Sequence, residues 1–182
     1  MANKLLKEIN VDEILESFRA NPQRNQELKV LWNGKKIEVN LEYRDFEKEI
    51  NEIREKLENL KILVENSEEW DKKIKDAAGE YILEDARYWW EPSADYEDED
   101  MPGLIADLTE IVGKKEAEKM VNDEELSLES FKKLIYVNSI TLEENGDFTV
   151  SLFDIDELIF SGHIMFVFGN INGKFSNGDF AG

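Results

Sequence analysis

The spacing of hydrophobic residues changes along the chain from strand-like to helix-like and back. Residues 28–32 and 37–43 alternate between apolar and polar on either side of Asn33-Gly34. This pattern predicts a β-hairpin, because an Asn-Gly pair tolerates the positive φ angles of a tight turn. Residues 148–153 alternate in the same way after Asn145-Gly146. We therefore expect strands near both ends of the chain.

The middle of the chain has helical spacing. Apolar residues recur every three or four positions over residues 46–64 and again over 70–89, which predicts two amphipathic helices. A further helix is predicted over residues 104–120. Glu52 and Lys56 are expected to form an i,i+4 ion pair on the outer face of the first helix. Helices with one apolar side are expected to pack on a sheet.

The most apolar run, residues 158–168, follows an acidic turn. Its length and its Ile, Val and Phe content favour a central strand over a helix. We interpret it as the middle of an antiparallel meander in a C-terminal module, residues 127–182. Near the other end, residues 1–25 are predicted to form a short helical arm, and residues 26–182 a single domain. The fold class predicted is α+β: an N-terminal β-hairpin, a helical middle of two to three amphipathic helices, and a C-terminal antiparallel β-meander packed on the helices.

The C-terminal module carries a resemblance to a known family. The residues concerned are Phe160-x-Gly162-His163-x-Met165-x-Val167, Gly173 and the final Ala181-Gly182. They resemble the bacterial family catalogued as domain of unknown function twenty-two sixty-two, in which a Phe-Trp-Gly-His strand follows an acidic turn. This chain has Ser161 where that family usually has Trp. The resemblance extends over residues 28–182, and it implies a bacterial protein with a shared fold unit but no known activity.

Composition narrows the classes of function. The 182 residues are 41% hydrophobic, which supports a sizeable core, and they include no cysteine, which excludes a disulfide scaffold and thiol chemistry. We see no signal peptide and no run long enough to span a membrane, so a cytoplasmic protein is expected. The formal net charge of −20 repels nucleic acid and anionic membranes and attracts cationic partners. The alternative explanation is that the charge only keeps the protein soluble and selects no partner.

An acidic segment is the candidate site for a partner. Five of the six residues from 95 to 100 are acidic. A solvated loop is the simpler interpretation, and the spacing is not that of a calcium-binding loop. Trp90 is predicted to be the exposed aromatic residue beside this segment. The candidate partner-binding residues are Asp95, Tyr96, Glu97, Asp98, Glu99, Asp100 and Trp90, and no metal or cofactor is assigned.

His163 is the only histidine and the weak candidate for catalysis. With Asp154 and Asp156 it could form an acid–base or metal-binding set, since its pKa lies nearest neutrality. The simpler interpretation is a packed histidine bonded to backbone, next to a turn built from aspartates. The chain has no phosphate-binding loop, no Gly-x-Ser-x-Gly elbow and no zinc motif.

The leading hypothesis is a non-enzymatic binding protein of the inhibitor or immunity type. Its acidic surface would occupy a basic site on a partner protein such as a toxin or a nuclease. The alternative is a metal-dependent hydrolase or a small-molecule-binding protein that uses His163 and the neighbouring carboxylates.

Overall fold

The computed structural model describes residues 5–92, 96–97 and 99–181. These residues form a seven-stranded sheet and seven α-helices, so the predicted mixed α+β class is confirmed. The strands are β1 (Leu5–Leu6), β2 (Asn25–Trp32), β3 (Lys35–Glu42), β4 (Ile135–Leu142), β5 (Asp147–Asp154), β6 (Ile164–Asn170) and β7 (Lys174–Ala181). The helices are α1 (Val11–Ala20), α2 (Phe46–Glu65), α3 (Ser67–Tyr81), α4 (Leu83–Trp89), α5 (Met101–Val112), α6 (Lys114–Asn122) and α7 (Leu128–Leu134).

The strands lie in the sheet in the order in which they occur along the chain. Antiparallel pairing joins β2 to β3 and runs continuously from β4 to β7. Two pairs, β1 with β2 and β3 with β4, are parallel. Parallel neighbours need a crossover connection, and the helical middle of the chain supplies it between β3 and β4. The hydrophobic pattern did not predict either parallel pair.

Helix α1 is packed on the rest of the molecule. Asn10 begins it, accepting a hydrogen bond from the backbone N–H of Glu13. Ile14, Leu15 and Phe18 are buried in the same apolar cluster as the sheet. Helix α1, which lies within the short helical arm predicted over residues 1–25, therefore contributes to the apolar core. None of the helices in the described ranges is both long enough and apolar enough to cross a bilayer.

The predicted strand over residues 158–168 is wrong in its first half. β6 begins only at Ile164, and the preceding residues form a succession of turns. Ser161 and Gly162 have φ angles of 49° and 87°, in the left-handed region that a strand does not use. The run is apolar because Ile159 and Phe160 are buried, 3% and 0% exposed, beneath these turns.

The side chain of Asp154 stabilises this turn. Its Oδ2 accepts hydrogen bonds from the backbone N–H groups of Ile159, at 2.6 Å, and of Phe160, at 3.4 Å. In a strand these donors would bond to a neighbouring strand. Because a carboxylate already accepts them, the chain can leave the sheet without burying unpaired backbone groups.

The predicted ion pair between Glu52 and Lys56 forms, with Nζ and Oε1 2.6 Å apart. It does not lie on an outer face, since Lys56 is only 7% exposed. The ammonium group also donates to the carbonyl oxygen of Glu42 at 3.3 Å. A buried cation depends on its partner far more than an exposed one does.

We expect Glu52→Gln to lower the free energy of unfolding by about 1–2 kcal/mol, because it leaves the buried ammonium of Lys56 without its counter-charge. The matched control is Glu55→Gln, one turn along the exposed side of α2. That change removes an exposed carboxylate that forms no ion pair with the residues described, and it should leave stability within about 0.5 kcal/mol of the wild type. Urea denaturation of both variants measures the difference, and equal midpoints would contradict this assignment.

Candidate partner-binding site

A break between two helices determines which aromatic side chains near residue 89 are exposed. α3 ends at Tyr81 and α4 starts at Leu83, so one continuous stripe over residues 70–89 does not exist. In α4 the buried side is set by Ala86, and Trp90, four residues later, falls on the same side. Trp89 is thereby turned outward.

The prediction that Trp90 is the exposed aromatic residue is therefore wrong. Trp90 is 3% exposed, and its indole N–H donates to the carbonyl oxygen of Met120 at 2.8 Å. Tyr88 and Trp89 are instead 80% and 40% exposed. The Ala86-to-Trp90 spacing was a signal in the sequence that identifies the buried tryptophan, provided that the break after Tyr81 is recognised.

Trp89 lies over the turn that precedes β6. Its ring contacts that of His163 edge-on, with centroids 4.9 Å apart, and lies 6.1 Å from that of Phe160. The carboxylate of Glu157 lies over the backbone of Gly162, about 3.4 Å from where a Cβ would stand. Trp89, His163 and Glu157 thus lie together, and with the exposed side chain of Tyr88, next to Trp89 in the chain, they make up what we call the Trp89 surface.

The acidic segment, residues 95–100, follows the Trp89 surface along the chain. Glu91, Glu97, Glu99 and Asp100 are all exposed. Tyr96, by contrast, is half-buried and packs against the core. Asp95 and Asp98, which were predicted to bind the partner, lie outside the described residues. The aromatic pair therefore has exposed carboxylates both in the chain that follows it and in the turn beneath it.

His163 is held by the backbone. Its Nδ1 lies 2.7 Å from the carbonyl oxygen of Phe160. A carbonyl oxygen only accepts hydrogen bonds, so Nδ1 is the nitrogen that carries the hydrogen. This contact and the ring of Trp89 account for the position of the imidazole, which is half-buried just before β6.

The carboxylates proposed to act with His163 have different environments. Asp154 is 2% exposed and bonds to backbone N–H groups through Oδ2, while its Oδ1 is buried and has no hydrogen-bond partner within the described part of the chain. Burial raises the pKa of this carboxyl above its usual range, although the backbone hydrogen bonds oppose the change. Asp156 is exposed in the turn, at a φ of 54°. Among the described residues, no three His, Asp or Glu side chains are grouped to hold a metal ion.

A groove that the sequence did not predict lies elsewhere in the molecule. It has a volume of about 1250 Å³ and lies where β3 and β4 end, between the chain after each strand and α2. Crevices at the carboxyl ends of parallel strands commonly bind ligands. Its walls combine Arg24 and Arg44 with Glu143, Glu144 and Asp147. None of the predicted site residues that the structure describes lines it.

The model of a family described as "uncharacterized protein conserved in bacteria (DUF2262)" matches residues 12–180. No curated protein and no solved structure matches the chain. The family match covers β2 to β6 and most of β7, the helical middle and the Trp89 surface, and it leaves out β1.

Proposed function

The chain belongs to this uncharacterised bacterial family, DUF2262, and we propose that it is a non-enzymatic binding protein whose Trp89 surface, with the acidic segment beside it, engages a basic partner protein. The observation that carries the proposal is the exposure of Tyr88 and Trp89 among carboxylates. Tryptophan and tyrosine are the residues most often found to dominate protein interfaces, and a water-excluding rim around them is typical of such sites.

Charge supports the choice of partner. With a net charge of −20 the protein accelerates its encounter with a cationic surface and repels anionic ones. The carboxylates around the aromatic pair would form the charged rim, which contributes to association rate more than to affinity. The specific form of the proposal is an inhibitor or immunity protein that covers the basic site of a toxin such as a nuclease.

We expect Trp89→Ala to weaken binding to the basic partner by about 30-fold, because truncating a central aromatic anchor costs about 2 kcal/mol. The partner is first captured from bacterial lysate at low salt and then purified, and its Kd is measured by calorimetry. Tyr88→Ala should weaken binding as well, and it serves as the second variant because Tyr88 is too exposed to affect folding. Ile62→Ala, on the exposed side of α2, is the control that should bind like the wild type.

Salt distinguishes the contribution of the rim from that of the anchor. Glu91→Gln is expected to reduce the association rate a few-fold at low salt and to have little effect at high salt. The proposal fails if the partner captured is not basic, or if Trp89→Ala, Tyr88→Ala and Ile62→Ala all bind as the wild type does.

A further inference from the structure

The groove where β3 and β4 end is formed by the ends of four neighbouring strands. β3 and β4 finish at this edge of the sheet, and β2 and β5 begin there, because β2 is antiparallel to β3 and β5 is antiparallel to β4. Helix α2 supplies the remaining wall. The volume of about 1250 Å³ exceeds the range of about 300–1,000 Å³ that is usual for small-molecule sites. The groove can therefore hold a ligand built from several linked units.

Two arginines, Arg24 and Arg44, form what we call the basic side of the groove. Arg24 immediately precedes β2, and its carbonyl oxygen accepts a hydrogen bond from the N–H of Tyr43 at 2.9 Å. Arg44 lies just after β3, and its N–H donates to the carboxylate of Glu49 at the start of α2. The backbone of both arginines is thus held at the end of the β2–β3 hairpin.

These two arginines have no counter-charge of their own. Both side chains are exposed, and neither forms an ion pair with any residue that the structure describes. The other three arginines of the chain all do. In a chain with a net charge of −20, a guanidinium without an acidic partner is the exception. The two exceptions lie side by side in the same groove.

Carboxylates form what we call the acidic side of the groove. They are Glu42, at the end of β3, and Glu143, Glu144 and Asp147, in the β4–β5 hairpin. Glu143 accepts a hydrogen bond from the hydroxyl of Thr149. Asp147 accepts one from the side-chain amide of Asn170. Neutral donors hold these two carboxylates in place, so their charges stay available to a ligand.

The opposite charges of the groove do not pair across it. Among its lining residues, all of which the structure describes, only Glu52 and Lys56 on α2 form an ion pair with each other. β2 and β4 lie two strand spacings apart, roughly 10 Å, with β3 between them. An ion pair requires an approach of about 4 Å. Arg24 at the end of β2 is therefore separated from Glu143 at the end of β4 by a gap that a ligand can bridge.

The two sides select a ligand that carries both charges. A simple anion pairs with the arginines but is repelled by the carboxylates, and a simple cation meets the reverse conditions. A guanidinium binds a carboxylate through two parallel hydrogen bonds, and carboxylates accept hydrogen bonds from an ammonium group. An extended peptide advances about 3.3–3.6 Å per residue, so about three residues span roughly 10 Å between its termini. A short peptide with free termini therefore fits the separation of the two sides.

The uncharged lining suits a peptide backbone. Asn25 and Asn145 line the groove, and each side-chain amide both donates and accepts hydrogen bonds, as a peptide group does. Tyr43 and Leu142 also line it, but both are buried, 5% and 4% exposed. The groove thus offers little apolar surface to a large ligand side chain, and a peptide of small residues is the matching ligand.

We propose that this groove is a binding site for short peptides with free termini, about three residues long, held by their carboxylate on the basic side and by their ammonium group on the acidic side. The groove shares no residue with the Trp89 surface. The inference therefore goes beyond the proposed function, and each can fail without the other.

Isothermal titration calorimetry with trialanine tests the proposal, at peptide concentrations up to about 5 mM, which detect a Kd of about 1 mM. We expect saturable binding at one site. N-acetyl-trialanine lacks the ammonium group and trialanine amide lacks the carboxylate, so each should bind at least about tenfold more weakly. Free alanine, which is too short to reach both sides, should also bind more weakly than trialanine.

Matched variants identify which side holds which terminus. Arg24→Gln and Arg44→Gln should each weaken trialanine binding at least about tenfold but leave binding of the amide unchanged, because the amide has no carboxylate to lose. Glu144→Gln should weaken trialanine and leave the N-acetyl form unchanged. Arg54→Gln removes the same charge from α2 outside the groove, and this control should bind trialanine like the wild type. Circular dichroism confirms that each variant folds.

Three results would overturn the proposal. The first is no saturable binding of trialanine. The second is equal binding of trialanine and either capped form, because the groove then recognises a single charge. The third is a loss in Arg54→Gln as large as in Arg24→Gln and Arg44→Gln, which would make the overall charge responsible.

Trp89→Ala separates this inference from the proposed function. The variant should bind trialanine like the wild type, and loss of that binding would place the peptide at the Trp89 surface and refute the proposal. Trialanine binding that depends on Arg24 and Arg44, together with unchanged partner binding in Trp89→Ala, would support the inference and refute only the proposed function.

Discussion

Phe160→Ala is expected to lower the free energy of unfolding by about 3–5 kcal/mol, the range for truncating a fully buried phenylalanine. The side chain is 0% exposed, and its ring centroid lies 4.9 Å from that of Phe180. The ring of Trp89 covers it from the other side at 6.1 Å. The cavity left by alanine would therefore lie between the turn, β7 and α4, which cannot all move inward together. Urea denaturation monitored by tryptophan fluorescence measures the loss of stability.

Leu158→Ala is the matched control in the same turn. Leu158 is only partly buried, although it also packs against the core. Its truncation should cost about 1 kcal/mol, because the side chain is already partly exposed to solvent and removes less apolar surface from water. Equal losses for Phe160→Ala and Leu158→Ala would mean that Phe160 is not the anchor of the turn. The Phe160 variant should also quench or shift the fluorescence of Trp89 before unfolding, since the two rings are in contact.

Phe160 shows why an apolar run alone does not identify a strand. A short stretch of Leu, Ile and Phe satisfies a strand and a buried turn equally well, because both bury large side chains. The distinguishing signals were polar: a carboxylate at Asp154 able to bond the backbone, and Ser161-Gly162, where the chain enters the left-handed region. The φ of 87° at Gly162 makes this residue part of the turn.

Features that depend on neighbouring residues could be predicted from the sequence, whereas contacts between residues far apart in the chain could not. Asp45 and Ser127 begin helices as their side chains suggest, and they accept hydrogen bonds from Lys48 and Ser130. The parallel pairing of β3 with β4 depends on how the intervening helices pack, which no local pattern records. The groove at the ends of these two strands was missed for the same reason.

The sequence did not identify which of two neighbouring tryptophans is exposed. Trp90 was predicted to be the exposed residue beside the acidic segment, whereas Trp89 is exposed and Trp90 is buried. The buried side of the helix shifts by one residue where α3 ends and α4 begins, and this shift determines whether Trp89 or Trp90 is exposed to solvent. The contact between Trp89 and His163 joins residues far apart in sequence, so it required the structure.

Asp154→Ala is the second change with a large expected effect. It removes the acceptor for the backbone N–H groups of Ile159 and Phe160, both of which are buried. An unpaired buried donor costs about 1–3 kcal/mol, so we expect a loss of about 2–4 kcal/mol for the two. Asp156→Ala, in the same turn but exposed, is the control and should cost less than about 1 kcal/mol. A loss as small in Asp154→Ala would contradict the role of its carboxylate in holding the turn.

Asp154→Asn separates the hydrogen bonds from the charge. The amide oxygen can still accept from Ile159 and Phe160, and the amide cannot ionise. Because burial raises the pKa of Asp154 in the folded state, the folded protein holds this proton more tightly than the unfolded chain does. The stabilising contribution is therefore fully present below the unfolded pKa of about 3.9 and is lost as the pH rises through the folded value. The stability of Asp154→Asn relative to the wild type should accordingly increase over that interval, while the lowered pKa values of Asp45 and Glu69 affect both proteins equally. Urea midpoints measured from acid to neutral pH test this difference, and a difference that does not vary with pH would show that the carboxyl of Asp154 titrates alike in the folded and unfolded states.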